Sequence, residues 1–163
     1  MTKQLLITYA TRAGSTAGVA DAIGVALKRR GLDVDIQCVT AKPNVQHYDA
    51  VILGSAVRMG SWLPEMAAFI KTNQTMLQSR PVALFTVHIL NTSADETSRA
   101  ARLAYLDSIR PFVTPVDEVF FAGRIDLDSL SFVDRLMVKM VKSPIGDLRD
   151  WGGIRAWSAT VFQ

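Results

Sequence analysis

The sequence predicts an α/β protein built on one doubly wound parallel sheet. The length of 163 residues suits about one domain, and 49% hydrophobic with 20% charged residues is a globular composition. Short apolar runs alternate along the chain with segments of helical periodicity. Strands that alternate with helices form a parallel sheet, because right-handed crossovers place the helices on both of its faces. We therefore expect five parallel strands in a single domain spanning residues 1–163.

Three strands are predicted in the first half of the chain. Gln4–Tyr9 is a short apolar run typical of a buried parallel strand, and it leads into a helix that ends at Gly31. Asp33–Cys38 and Ala50–Ser55 are the second and third strands. Pro64 opens the next helix, because proline is well tolerated in the first helical turn. The first and third strands therefore each lead through a loop into a helix.

The second half adds two strands and the C-terminal helix. Pro81–Val87 and Val116–Ala122 are the fourth and fifth strands, and a helix over about Ser93–Ile109 connects them. Asp150 is placed to cap the last helix ahead of Trp151. The chain thus contains every element of a minimal five-stranded α/β domain.

The segment 123–149, before the last helix, is too long for an ordinary connection. We predict that it contains an extra helix, Phe132–Lys142. Its pattern is typical of a helix in a bilayer interface, with cations toward anionic head groups, and equally of a helix packed on its own domain. Both interpretations stay open. The apolar face comprises Val133, Leu136, Met137, Met140 and Val141, and the basic residues are Arg135, Lys139 and Lys142.

Composition excludes several classes of protein. The formal net charge of +3 is mildly basic and favours acidic partners or an anionic surface. One cysteine, Cys38, cannot form an intramolecular disulfide, and with only His47 and His88 a metal site is not predicted. No apolar run approaches the roughly 18–20 residues that span a bilayer, and the first residues lack the pattern of a secretory signal. We therefore expect a cytoplasmic protein.

In open α/β sheets ligands bind at the carboxyl ends of the strands, where the strand order reverses. The first such end leads directly into a helix and offers hydroxyl groups and backbone N–H groups suited to a phosphate. It matches neither G-x-x-x-x-G-K-S/T nor G-x-G-x-x-G. The alternative is a plain turn with Ser15 as the N-cap. Arg12 is either a solvated surface residue or a cation near the phosphate. The loop comprises Thr11, Arg12, Ala13, Gly14, Ser15 and Thr16.

The ends of the third and fourth strands supply the other candidate binding residues. His88 is the one histidine at a strand end, and it is either a hydrogen-bonding structural residue or a catalyst. The candidates after the third strand are Ser55, Ala56, Val57, Arg58, Met59, Gly60 and Trp62, and those after the fourth are Val87, His88, Ile89, Leu90 and Asn91.

The run Ile7–Ile23 resembles the flavodoxin signature, whose T-x-x-G-x-T loop wraps the monoester phosphate of FMN; the matching residues include Thr11, Gly14 and Thr16. Thr8 departs from it, because an apolar residue is usual there. The resemblance implies a flavodoxin-like fold with FMN as the cofactor, held by the three strand-end loops. It also implies that an apolar or aromatic side chain covers the flavin ring, and Met59 and Trp62 are the candidates.

Three further segments are similar to the menaquinone-dependent protoporphyrinogen IX dehydrogenase family: Gly54–Gly60, Ala122-Gly123 and Phe132–Lys142. This resemblance implies an enzyme that takes hydrogens from a porphyrinogen and passes them to a quinone. The flavin carries the redox step, so no catalytic side chain is predicted. Peripheral contact with the inner face of the membrane through 132–142 would suit a quinone acceptor; no nucleic-acid partner is expected. The alternatives are a flavodoxin-like electron carrier, a class that is typically acidic, and a flavin-free binding module.

Overall fold

The computed structural model describes residues 2–125, 132–140 and 146–163. Five parallel strands form its main sheet in the order β2-β1-β3-β5-β6, and a short strand, β4, pairs antiparallel with β3. The strand order reverses between β1 and β3, as in doubly wound folds. The predicted five-stranded parallel sheet is confirmed. The strands are β1 Gln4–Ala10, β2 Asp33–Cys38, β3 Ala50–Arg58, β4 Ser61–Trp62, β5 Val82–His88 and β6 Asp117–Ala122.

Helices cover both faces of this sheet. On one face, α1 and α6 pack side by side over a core that includes Ile7, Ile23 and Ile154. On the other face, α2 and the segment after α4 cover a second core around Leu53 and Leu84. The helices are α1 Ser15–Arg29, α2 Pro64–Thr72, α3 Gln74–Gln78, α4 Glu96–Ala104, α5 Phe132–Met140 and α6 Trp151–Thr160.

Gly54 is required by packing in the middle of the sheet. It pairs with Phe85 of the neighbouring strand, and a Cβ atom at position 54 would lie 1.9 Å from the Cζ atom of the Phe85 ring. Phe85 is completely buried. The aromatic ring therefore occupies the space that any other residue at position 54 would need for its side chain.

The helix predicted over Ser93–Ile109 is shorter in the structure. It begins at Glu96, because the Asp95 side chain accepts a hydrogen bond from the Ser98 backbone at 2.8 Å and acts as the N-cap. It ends at Ala104, after which backbone bonds of the i to i+3 type continue as turns. Tyr105 is buried in this turn region.

The long connection before α6 carries one more ladder and the extra helix. Strands β7 Arg124–Ile125 and β8 Gly146–Asp147 pair antiparallel, and the predicted extra helix is present as α5. Val141 and Lys142, the end of the predicted helix, lie outside the described residues. In the part of the chain that the structure describes, every helix is too short or too polar to cross a membrane.

Candidate functional site

The three predicted loops meet at one edge of the sheet. β1, β3 and β5 are neighbours, with Ala10 opposite Ser55 and Ala56 opposite Val87. The loops that follow these strands therefore lie side by side at their carboxyl ends. Because the strand order reverses between β1 and β3, the crevice expected for a ligand lies there.

The loop after β1 leaves the N-terminus of α1 open. Gly14 adopts the left-handed conformation with φ of 88°, which glycine tolerates, and its N–H donates to Thr11 Oγ1 at 3.0 Å. Gly14 is the N-cap and provides no side-chain cap, whereas Ser15 is the first helical residue. The interpretation of Ser15 as the N-cap is therefore wrong. The first turn also lacks an acidic residue, so its N–H groups and partial positive charge are available to an anion.

Thr16 has a buried hydroxyl at this helix N-terminus. The residue is 0% exposed, and its Oγ1 atom has no hydrogen-bond partner among the described residues. A buried hydroxyl without a partner costs about 1–3 kcal/mol. A phosphate oxygen held at the open helix end could accept the missing hydrogen bond. The loop therefore fits the monoester phosphate of FMN.

The Arg12 side chain is 38% exposed and is paired rather than isolated. Its guanidinium forms a two-pronged ion pair with Glu65 in the first turn of α2. The hydrogen bonds from Arg12 hold the pKa of Glu65 below its ordinary value. The pair bridges the loop after β1 and the segment after β3, and the carboxylate offsets the charge of Arg12. The structure thus gives Arg12 a role in joining two walls of the crevice.

The loop after β3 is a tight β-hairpin. Arg58 pairs with Ser61, and the two residues between them, Met59 and Gly60, have φ of 53° and 75°. Positive φ at both positions is the geometry of a type I′ turn, whose twist matches that of the strands. Methionine is unusual there, and its side chain is 83% exposed. Met59 is therefore presented at the tip of the hairpin, free of the core.

Trp62 is a core residue, in contrast to the prediction that its ring is available to cover a flavin. It is 3% exposed, and its indole Nε1 donates a 2.9 Å hydrogen bond to Thr86 Oγ1. Pairing of β4 with β3 turns the indole inward. Ser55 and Val87 are also buried, and Ser55 Oγ accepts from the Leu63 N–H at 3.0 Å. Met59 remains the candidate for covering the flavin ring.

His88 closes β5 as a buried, neutral side chain. Its Nδ1 donates to the Leu90 carbonyl at 2.8 Å, because a carbonyl can only accept. Its ring lies 5.8 Å from that of Tyr105 and 6.1 Å from that of Phe120. Burial is the main cause that lowers the pKa of His88 below its ordinary value, and the positive charge of Arg102 lowers it further. His88 is therefore uncharged near pH 7.

Tyr105 and Arg102, which the sequence interpretation missed, hold the loop after β5. The Asn91 side chain donates to the Tyr105 hydroxyl at 2.7 Å. Arg102 Nη1 donates to the backbone carbonyls of Asn91 and Ser93 at 2.6 and 2.7 Å. Both Tyr105 and Arg102 lie within the segment predicted as one helix, where no local signal distinguishes them from packing residues. The loop with Ile89 and Leu90 is consequently fixed in place before any ligand binds.

The sequence matches the model of one protein family. The family described as "Flavodoxin domain" matches residues 6–150. Among proteins of assigned function, the chain is 28% identical over 152 residues to protoporphyrinogen IX dehydrogenase [quinone] of Escherichia coli strain K12. That match covers 89% of this chain and 82% of the relative.

Solved structures share the fold at low sequence identity. An oxidised flavodoxin of Bacillus cereus superposes with a TM-score of 0.57 at 13% identity, covering 96% of this chain and 95% of the other. A flavodoxin of Streptococcus pneumonia TIGR4 gives a TM-score of 0.58 at 16% identity, with the same coverage of 96% and 95%. A Lactobacillus acidophilus flavoprotein solved in complex with FMN gives 0.54 at 14% identity, covering 73% and 93%. These similarities concern the fold.

Proposed function

The chain belongs to the flavodoxin domain family, and from that premise we propose that it is an FMN-dependent oxidoreductase that passes hydrogens from a porphyrinogen to a quinone. FMN is its cofactor, and the binding site is supported by the Thr16 hydroxyl at the open N-terminus of α1, which has no hydrogen-bond partner among the described residues. Bound FMN supplies a group that accepts a hydride and donates electrons. The porphyrinogen and quinone are proposed from the resemblance to the dehydrogenase of Escherichia coli.

The described side chains would hold and orient the flavin. The loop Thr11–Thr16 would bind the phosphate, and the tip of the hairpin at Met59 would cover one face of the ring. The Leu90 and Asn91 backbone, fixed by Tyr105 and Arg102, would form the opposite wall. His88 is neutral and in contact with Tyr105, so we assign it a structural role in that wall.

The proposed reaction can be tested with FMN-loaded protein under anaerobic conditions. Protoporphyrinogen IX and a menaquinone analogue are added, and porphyrin fluorescence and quinone reduction are followed together. We expect both signals to rise only when FMN, substrate and quinone are all present, with flavin-free protein as the control. Reduction of FMN by other redox proteins without any porphyrin formation would instead favour the second candidate, an electron carrier that docks on redox partners, as the names of the structural neighbours suggest.

Helix α5 supports a proposed contact with an anionic membrane, where a quinone would be found. Phe132, Val133, Leu136 and Met140 are 80%, 58%, 50% and 73% exposed. At about 100° per residue these four side chains fall within an arc of about 100°. The basic residues Arg135 and Lys139 border one side of that arc. An exposed apolar face beside cations is the pattern of a helix lying in a bilayer interface.

Replacement of Lys139 by glutamate is expected to weaken binding to anionic vesicles at low ionic strength, and replacement of both Lys139 and Lys142 is expected to abolish it. A basic residue near such a surface contributes about 1 kcal/mol, and the substitution replaces this attraction with repulsion. Vesicle binding is measured by co-sedimentation with anionic and with neutral vesicles. Lys142→Glu strengthens the test in a double variant. Lys28→Glu, at the exposed end of α1, is the matched control for net charge.

FMN content of the Lys139 variant should be unchanged, because α5 is separate in sequence from the three loops. Wild-type protein that fails to bind anionic vesicles at low ionic strength would refute the membrane contact. Equal losses in the Lys28 and Lys139 variants would also refute it, because they would show a dependence on net charge alone.

A further inference from the structure

Arg149 lies between β8 and α6 in a closely held position. Its Nε and Nη2 atoms donate to the two carboxylate oxygens of Asp147 at 2.9 and 2.8 Å. Its guanidinium also stacks on the Trp151 ring, 4.5 Å from the ring centroid. The side chain is 12% exposed. Two hydrogen bonds along one edge and a stacking contact on one face thus fix the orientation of the charged group.

The guanidinium of Arg149 rests against the first turn of α1. A Cβ atom built on Gly18 would lie 2.6 Å from Arg149 Nη1. Gly18 donates its N–H to Gly14 O, so it belongs to the same first turn as Thr16. The ion pair with Asp147 uses Nε and Nη2 and does not involve Nη1. The Nη1 edge therefore lies beside the helix end to which the phosphate loop leads.

This position brings the charge of Arg149 close to the positive end of a helix. The N-terminus of a helix carries partial positive charge, and an arginine beside it is repelled. The first turn of α1 contains no acidic residue to offset that repulsion, and Asp147 compensates it only from the far side of the guanidinium. An anion held at the helix end would be attracted by both the helix and the arginine.

We propose that Arg149 supplies the protein's own positive charge to the FMN phosphate and thereby selects FMN over unphosphorylated riboflavin. The inference rests on the proposed FMN binding and adds a residue from the opposite end of the chain to the phosphate site. It also explains Gly18, since any side chain there would displace Nη1.

The test compares dissociation constants for FMN and riboflavin, measured by quenching of flavin fluorescence. Arg149→Met removes the charge and keeps an unbranched stem that can pack on Trp151. We expect FMN binding to weaken about tenfold at low ionic strength, less at high ionic strength, and riboflavin binding to change less than about twofold. Arg155→Met, an exposed position on α6, removes the same charge and should change neither constant.

Gly18→Ala provides a second variant that keeps the charge. Alanine is the better helix former by about 1 kcal/mol, so α1 is not weakened, but its methyl group displaces Nη1. We expect about a threefold loss of FMN affinity with riboflavin unaffected. Equal losses for both flavins in the Arg149 variant, or unchanged FMN binding, would overturn the proposal. Wild-type protein that binds no FMN would overturn the proposed cofactor and this role with it.

Discussion

Replacing Thr16 with valine is expected to weaken FMN binding about 10- to 100-fold and, at the same time, to stabilise the flavin-free protein. A hydrogen bond to a charged group contributes about 1.5–3 kcal/mol, and valine cannot form it. In the flavin-free state the Thr16 hydroxyl is buried without a partner among the described residues, and valine keeps its shape without that polar group. Removal of the one hydroxyl therefore weakens FMN binding and stabilises the flavin-free protein.

Two measurements separate these effects. Fluorescence titration gives the FMN dissociation constant, and thermal unfolding of the flavin-free protein gives the stability. We expect the melting temperature to rise by about 2–4 °C for each kcal/mol regained. Thr8→Val is the matched control, because Thr8 Oγ1 is also buried and has no partner in the described part of the chain, but lies within β1, ahead of the loop. It should stabilise the protein and leave FMN binding unchanged.

Riboflavin provides the second control for Thr16. A hydroxyl that contacts the phosphate matters only when a phosphate is present, so riboflavin binding should be unaffected by valine. Thr16→Ser, which keeps the hydroxyl, should retain most of the FMN affinity. Unchanged FMN affinity in the valine variant would refute the assignment of this loop as the phosphate site.

The three central strands, β1, β3 and β5, were predictable because they are largely buried and mostly apolar. The antiparallel pair of β7 and β8 was not predictable, because these strands have only two residues each and pair across a long connection. A strand of that length carries no periodic signal. The end of α4 was missed for a related reason, since the buried Tyr105 continues the apolar spacing while the backbone has already left the helix.

The loop that leads into α1 was predictable because its features are local: a glycine turn, hydroxyl residues and a helix that starts at once. Contacts between segments that are far apart in the sequence were not predictable. Arg12 meets Glu65 across 53 positions, and nothing near either residue indicates the other. The inward direction of Trp62 depends on β4, whose turn contains Met59 in a conformation that sequences usually mark with asparagine or glycine.

Bound FMN is expected to be reduced by two electrons in one transition, at a single midpoint potential. The second electron produces an anionic reduced flavin, which neighbouring carboxylates would penalise. Residues 54–63 and 86–94, which contain the second and third loops, include neither aspartate nor glutamate. Positive charge comes from Arg58 on the hairpin and from Arg102, which is bonded to the carbonyls of the loop after β5. His88 adds no charge near pH 7, because burial lowers its pKa.

A spectroscopic redox titration tests this expectation through the slope of the Nernst plot. A two-electron transition gives about 30 mV per decade, and separate one-electron steps give about 59 mV per decade. Leu90→Glu places a carboxylate at a site that is 40% exposed in the loop after β5. Leu90→Glu should lower the potential of the second electron and split the transition into two one-electron steps. The neutral Leu90→Gln should do neither. A wild-type titration that already divides into two well-separated steps would contradict the electrostatic argument and favour the electron-carrier function, because such a protein exchanges electrons singly.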